Sequence, residues 1–382
     1  GRREQTAGRF FSHGDRLSSV WSGNSRFVTR VGLWNSRNSR RIGRMRPELG
    51  PILGNMSPLS NRTVATIGSG VMAESIIAGL LRGKLVGPSQ IIGSEPRQDR
   101  RDELTRQYGV RMTASNVEAA SEADVILLSV KPQTLNKVGH ELGGRLRPSQ
   151  LVVSIVAGAT CRVLTGLLGH REVVRSMPNT PAQIGRGITV WYATPEVTDE
   201  QRDQAQTLLR ALGGELQVED ERFVEMATAV SGTGPAYVFL VMEALIDAAV
   251  HLGFPRHVAH DLVIETLEGS TAFAKATAQH PAVLRNMVTS PGGTSAAAIH
   301  ELESGRLRTV LSEAVWASYR RTVELGDDLE KGLGINEGQT EPGVTAADGR
   351  TRQGAKRTNG AGPSNAAGGS GRKARSGARG GR

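Results

Sequence analysis

The sequence predicts an α/β plus all-α protein, with an N-terminal doubly wound, mainly parallel sheet followed by a helical domain. Three observations carry this. Short β-branched and aliphatic runs alternate with helical patterns between about residues 62 and 220, which is the rhythm of βαβ units. After Asp220 no convincing strand remains, and four helical patterns follow one another. One of them, residues 237–252, is apolar nearly all round. Such a helix must be buried on most faces, and a small helical domain cannot supply that cover. A second subunit is expected to do so, making the C-terminal half a helical dimerisation domain.

Taken in order, Thr63–Ile67 (TVATI) is the first strand, ended by Gly68. Met72, Ile76, Ile77 and Leu80 then recur at helical spacing. Gln90–Gly93 is a second apolar run, followed by a charged helical stretch to about Tyr108. Val125–Val130 (VILLSV) and Val152–Val156 (VVSIV) are continuous apolar runs, as expected of strands covered on both faces. Val173–Ser176, Ile188–Tyr192 and Glu215–Val218 are further strands. Between the last two, Thr198 and Gln201 form a capping box that opens a helix with Ala205, Leu208, Leu209 and Leu212 on one face. The helices of the second half are Phe223–Val230, Tyr237–Leu252, Val258–Ala276 and Leu307–Leu325. Glu243, Asp247 and His251 fall on one stripe of the apolar helix. Acids at mid-helix argue against a bilayer span, where each costs about 2.5–3.5 kcal/mol, and no membrane association is expected.

Charge separates the core from its flanks. Of the net +10 over 382 residues, residues 1–61 carry +8 and residues 333–382 carry +6, leaving −4 on the segment between. The high pI therefore says nothing about a nucleic-acid-binding core, and four Trp and four Tyr are few for stacking on bases. Residues 1–61 hold eleven Arg and show no apolar periodicity. That composition reads as a disordered basic extension, either upstream of a natural start at Met56 or an organellar transit peptide. Residues 333–382, with 13 Gly, read as a flexible Gly/Arg-rich tail. The folded parts are then 62–220 and 221–332. Cys161 is the one cysteine, which excludes an intramolecular disulfide framework and any multi-cysteine zinc site. No constellation of metal ligands stands out, and a cytoplasmic protein is expected.

Several short segments carry chemistry. Ile67-Gly68-Ser69-Gly70-Val71-Met72-Ala73 is G-x-G-x-x-A between the first strand and the first helix. Gly68 makes the turn, Gly70 lets the chain approach a pyrophosphate, and Ala73 lets helix pack on strand. The helix N-terminus adds orphan N–H donors and a positive field. The setting is that of a Rossmann-like dinucleotide domain. Ser94-Glu95-Pro96-Arg97 ends the second strand. Ser94 as hydroxyl donor and Arg97 as cation suit the 2′-phosphate of NADPH, whereas Glu95 would suit NADH; Arg100 and Arg101 read as solvated helix charges. Val130-Lys131-Pro132 and Met177-Pro178-Asn179-Thr180-Pro181 lie at strand C-terminal ends, where open α/β sheets bind ligands. Lys131 and Asn179 are candidate partners of the nicotinamide ribose or carboxamide, or else exposed crossover residues. Ser231-Gly232-Thr233-Gly234-Pro235 opens the apolar helix, with Pro235 in the first turn and Thr233 or Gly232 as cap. Its glycines imply close backbone approach, to cofactor or to another subunit. Finally, Thr289-Ser290-Pro291-Gly292-Gly293-Thr294-Ser295 enters a helix. Its backbone N–H groups and hydroxyls form an uncharged cradle for a carboxylate. His300 on that helix reads as a surface or packing residue. The absence of other acid–base sets fits hydride transfer to an already electrophilic centre such as a protonated imine.

IGSGVMA at 67–73, SVKP at 129–132, MPNTP at 177–181, SGTGPAY at 231–237 and SPGGTSAAAIHELE at 290–303 closely resemble the pyrroline-5-carboxylate reductase family, in order from about Arg62 to Lys331. The resemblance implies NADPH- or NADH-dependent reduction of L-1-pyrroline-5-carboxylate to L-proline. It also implies a homodimer through the helical domain, and higher assemblies such as decamers. By the same resemblance Gly68, Ser69, Gly70, Val71 and Met72 hold the pyrophosphate, and Ser94 and Asn116 lie near the adenosine ribose and its 2′-phosphate. Ser129, Val130, Lys131, Pro132 and Asn179 lie by the inner half of the cofactor. Ser290, Gly292, Gly293 and Thr294 hold the substrate carboxylate, and Ser295, where the family usually has Thr, meets the ring nitrogen. Thr233 stands where Ser is more usual. Two other readings share these residues: a related imine or keto-acid reductase, and a dinucleotide-binding scaffold whose basic tails bind nucleic acid.

Overall fold

The computed structural model describes residues 57–334; the readings placed on residues 1–56 and 335–382 lie outside the described residues. Within residues 57–61, which the sequence assigns to a disordered extension, the chain makes a turn that seats Leu59 fully buried in the core. Gln90 fixes this turn by donating from Nε2 to the carbonyls of Ser60 (2.8 Å) and Arg62 (2.9 Å). The folded unit therefore starts earlier than residue 62, because one buried leucine is enough to order a five-residue turn against a preformed core.

Eight strands form one sheet: β1 (Val64–Ile67), β2 (Ile91–Ser94), β3 (Arg111–Thr113), β4 (Val125–Leu128), β5 (Leu151–Ser154), β6 (Val173–Met177), β7 (Gly187–Ala193) and β8 (Gly213–Gln217). Their order is β3-β2-β1-β4-β5-β6-β7-β8. All neighbours are parallel except β6 and β7. The segment 178–186 between that pair holds only a short 3₁₀ turn (Thr180–Ile184) and Gly185 at φ 72°. It is too short for the helical crossover a parallel pair needs, so the chain doubles back.

The inner strands β1, β2, β4 and β5 are buried on both sides, and successive residues serve opposite faces. Val125 and Leu127 of β4 join one core with Ala73, Ile76, Ile77 and Leu80 of α1 (Val71–Arg82) and Ala205, Leu208 and Leu209 of α6 (Asp199–Arg210). Ile126 and Leu128 join the other core. There they meet α3 (Asn116–Glu122), α4 (Pro132–Leu142) and α5 (Cys161–Leu168). The helix α2 (Gln98–Tyr108) follows β2. The capping box expected at Thr198 and Gln201 is formed at α6.

The second half is helical throughout: α7 (Arg222–Ala227), α8 (Gly234–His251), α9 (Arg256–Thr277), α10 (Pro281–Met287), α11 (Thr294–Ser304) and α12 (Leu307–Gly332). A π-helical turn, Thr228–Gly232, joins α7 to α8, so Arg222–His251 is a single 30-residue helix. Thr233 is therefore no side-chain cap. It already has helical angles (φ −84°, ψ −19°), and its hydroxyl donates backwards to the Thr228 carbonyl (2.9 Å). By length and composition this is the one helix among the described residues that could cross a membrane. Val238, Phe239, Leu240, Val241 and Leu245 are all exposed, and α8 contributes no buried residue.

Two sets of contacts are prominent among those that tie the helices to the sheet. Buried Arg175 of β6 donates from Nη1 to Glu221 (2.7 Å) and Glu225 (3.2 Å) at the start of the long helix. The far end of α12 returns to the loop before α5. Thr160 donates to Glu330 Oε1 (3.1 Å), Arg162 pairs with the same carboxylate, and Gly158 (φ 77°) lets the backbone of residues 325–326 come close.

Candidate functional site

The sheet order reverses between β2-β1 and β4-β5, the place where a crevice opens at the strand C-termini. Register makes the crevice: Ile67, the last residue of β1, stands beside Ser94 of β2 and Leu128 of β4. The segments that follow, 68–72, 95–97 and 129–132, therefore leave the sheet at one level.

The turn after β1 has the features its sequence calls for. Gly68 sits at φ 82°, and a Cβ there would lie 2.8 Å from Val130 Cγ1 and 3.2 Å from the Ser129 carbonyl oxygen. No other residue fits. Gly70 is different: its backbone is extended, and a Cβ would meet nothing within 4 Å. It caps α1 with no side-chain hydrogen bond, which leaves the first-turn N–H groups free of a cap. Val71, 56% exposed at this helix start, is an apolar side chain open to solvent beside them. Open space, orphan donors and a helix N-terminus are what a dinucleotide pyrophosphate requires. The residues fit the group.

Several predicted contacts are placed in the crevice but spent on building it. Ser69 is fully buried, and its hydroxyl donates to the Ser94 carbonyl (3.1 Å); only its main chain is available to a ligand. Ser94 is 1% exposed. Its hydroxyl bonds Asn116 Oδ1 (2.6 Å), and Asn116 Nδ2 donates to Glu141 (2.7 Å). Direct donation from Ser94 to a 2′-phosphate is therefore not supported by its hydrogen bonds. The side chain facing outward here is that of Arg97, 64% exposed, whose Nε lies 3.5 Å from Oε1 of the largely buried Glu95, 13% exposed. Ser129 donates to the Gly68 and Ile67 carbonyls and braces the turn. Val130 is half-buried against Gly68, Lys131 is exposed, and Pro132 opens α4. Asn179 is committed at both ends: Nδ2 donates to the Ser231 carbonyl (3.1 Å) and Oδ1 accepts from Ile188 N–H (3.0 Å). It couples the sheet to the π-turn rather than offering a free amide.

Arg100 overturns its sequence reading. It is not a solvated helix charge but 12% exposed, pairing with Glu74 of α1 and Glu103 and donating from Nε to the Ser69 carbonyl (3.3 Å). Tyr108 donates to the other oxygen of Glu74 (2.9 Å). Burial acts to raise the Glu74 carboxyl, but the bonds from Arg100 and Tyr108 outweigh it and hold it below its ordinary value. Burial and the bond to Glu74 push the Tyr108 phenol up to about 12. The pairing joins two helices far apart in sequence, so no spacing rule shows it.

The second cradle lies between α10 and α11. Gly292 is at φ 69°, and Gly293 caps α11 without a side-chain bond while its N–H donates to the Ser290 carbonyl (3.0 Å). Ser290, Gly292 and Thr294 are exposed and Ser295 half-exposed. A Cβ at Gly292 would meet nothing within 4 Å, and the atoms nearest to one at Gly293 would be those of Ser290. The loop is thus open at Gly292, whereas Ser290 closes on Gly293. Gly293→Ala would press on Ser290 Oγ and displace that hydroxyl. It should raise KM for a carboxylate substrate about tenfold with little change in kcat, measured by steady-state kinetics; an unchanged KM would remove Ser290 from the cradle. Of the two glycines around the start of α8, Gly232 is explained within the chain by Met177, 3.2 Å from its Cβ position, whereas Gly234, the first residue of the helix, faces open space. Among the described residues no group of His, Cys, Asp and Glu is arranged to hold a metal.

Comparison with known proteins bears on both halves. Residues 221–325 match the family model for pyrroline-5-carboxylate reductase dimerisation, and residues 63–158 match that for coenzyme F420-dependent NADP oxidoreductases. The chain is 44% identical to the pyrroline-5-carboxylate reductase of Synechocystis sp. over 262 residues, 68% of this chain and 97% of that protein. It is 41% identical to the Pseudomonas aeruginosa enzyme over 272 residues, 71% and 99% respectively. Among solved structures, the Coxiella burnetii pyrroline-5-carboxylate reductase aligns with TM-score 0.65 at 37% identity, covering 71% of this chain and 99% of that one. The Plasmodium falciparum enzyme, solved with NADP bound, aligns with TM-score 0.65 at 27% identity, covering 71% and 100%.

Proposed function

Because the chain belongs to the pyrroline-5-carboxylate reductase family, we propose that it reduces L-1-pyrroline-5-carboxylate to L-proline, the last step of proline biosynthesis, using NADPH and also NADH. The observation that carries this reading is the pair of glycine-opened helix N-termini. The one at α1 lies on the switch point of the sheet, and the one at α11 is exposed and lined by hydroxyls.

When bound, the coenzyme supplies a hydride from C4 of its nicotinamide ring. The main chain of Gly68, Ser69, Gly70, Val71 and Met72 receives its pyrophosphate. Arg97 serves the 2′-phosphate, on a wall shaped by Ser94 and Asn116. Ser129, Val130, Lys131 and Pro132 form the floor of the inner half, and Asn179 fixes the backbone beside it. Ser290, Gly292, Gly293 and Thr294 hold the substrate carboxylate by main-chain N–H groups and hydroxyls. The Ser295 hydroxyl holds the proton at the ring nitrogen, which makes the imine carbon electrophilic. Orientation and one proton are all that such a reaction asks of the protein.

The bare apolar face of α8 is assigned to a second copy of the chain, giving a homodimer, with a decamer as the further assembly. Gly234, which faces open space, suits that contact. A cytoplasmic location belongs to the same reading, and Cys161 is a buried free thiol. Purified protein should consume NADPH, followed at the nicotinamide absorbance, with pyrroline-5-carboxylate and more slowly with the six-membered piperideine analogue. Preference for the six-membered ring, or for a keto acid, would overturn the substrate assignment. Turnover should persist on removing residues 1–56 and 335–382; absence of turnover together with nucleic-acid binding that this removal abolishes would favour the scaffold reading instead.

A further inference from the structure

Glu74 sits in the first turn of α1, the helix whose N-terminus is the proposed pyrophosphate seat. A carboxylate there favours the bare helix, because it complements the positive end of the dipole. For an anionic ligand the same carboxylate is a competitor: it occupies the field the ligand needs and repels it. The structure resolves the conflict with Arg100 of α2, 12% exposed. Its Nη2 pairs with Glu74 Oε2, its Nη1 donates to Glu103 (2.7 Å), and its Nε reaches the Ser69 carbonyl in the glycine turn itself (3.3 Å). Tyr108 occupies the remaining Glu74 oxygen (2.9 Å). The guanidinium thus lies against both the carboxylate and the turn.

We propose that Arg100 is a positioning residue for coenzyme binding, cancelling the charge of Glu74 so that the N-terminus of α1 can accept the pyrophosphate of NADPH. The inference rests on the coenzyme reading above and adds a residue pair to it. Neither partner need touch the coenzyme; the effect is electrostatic and carried by Glu74. A carboxylate left unpaired beside the seat weakens the anion, whereas a neutral amide at the same place does not.

The test is NADPH binding to the full chain without substrate, titrated by fluorescence at low salt and at about 0.5 M salt. Arg100→Met should raise the NADPH Kd about tenfold at low salt, about 1.4 kcal/mol. The difference should fall below threefold at high salt, where the Debye length is a few Å. Glu74→Gln should bind at least as tightly as wild type. The double variant Glu74→Gln/Arg100→Met should return to within threefold of wild type, and it tests the same point without an uncompensated buried charge should Arg100→Met fail to fold. A merely structural role for Arg100 would give a penalty that salt does not relieve and that adding Glu74→Gln does not rescue. Wild-type-like binding by Arg100→Met, or a double variant as weak as Arg100→Met, would overturn the inference while leaving the coenzyme reading intact. Failure of wild type to bind either coenzyme would overturn both.

Discussion

Gly70→Asp should weaken NADPH binding at least a hundredfold, about 2.7 kcal/mol, while leaving the melting temperature within about 1 °C of wild type. The two halves of this expectation come from one observation. Gly70 is extended and a Cβ there meets nothing within 4 Å, so the folded chain tolerates a side chain. Asp is moreover a favoured helix cap, differing from Gly by only a few tenths of a kcal/mol. What Asp fills is the open space over the turn, and its charge opposes the pyrophosphate. Isothermal titration with NADPH and a thermal melt of the same sample separate the outcomes. Undiminished binding would take the 68–72 turn out of the coenzyme site. Gly68→Ala is the contrasting case, since a Cβ there lies 2.8 Å from Val130 Cγ1 at φ 82°; it should lose stability and binding together.

Ser295→Ala should lower kcat about a hundredfold with the NADPH Kd unchanged within twofold. Ser295 is the second residue of α11, half-exposed on an open loop, so its removal disturbs no packing. The loss is that of one positioned proton-handling group, whose typical contribution is about 10²–10⁴. Ser295→Thr keeps the hydroxyl and narrows its rotamers, and it should match or exceed wild type. Single-turnover kinetics with saturating NADPH isolates the chemical step. An Ala variant with wild-type turnover would remove Ser295 from the reaction.

What the sequence made legible follows from where the physics is local. The strand VILLSV stands out because strands covered on both faces are continuous apolar runs, and TVATI because it is a short β-branched run punctuated by Gly68. The Thr198–Gln201 cap is a contact across three residues and needs no tertiary structure. Features set by distant contacts were not legible. β3, Arg111–Thr113, is three residues with no fully buried side chain at the sheet edge. The antiparallel turn of β7 depends on the length of a connection rather than on strand composition. α12 runs on past Leu325 to Gly332 because Glu330 is held by Thr160 and Arg162 on another domain face. In the candidate site, the glycines and hydroxyl loops were readable as backbone chemistry. The side-chain roles of Ser94, Asn179 and Arg100 were not, since each depends on a hydrogen bond to a residue at least 22 positions away: Ser94 to Asn116, Asn179 to Ser231 and Arg100 to Glu74.

The most direct test is a crystal structure of the protein with NADP⁺ and L-proline bound together. The expected result is the proline carboxylate within hydrogen-bond reach of the main-chain N–H groups of residues 292–295, its ring nitrogen at the Ser295 hydroxyl, and its ring stacked on the nicotinamide. Proline bound away from this loop, or nicotinamide lying away from the crevice beyond β1 and β4, would contradict it.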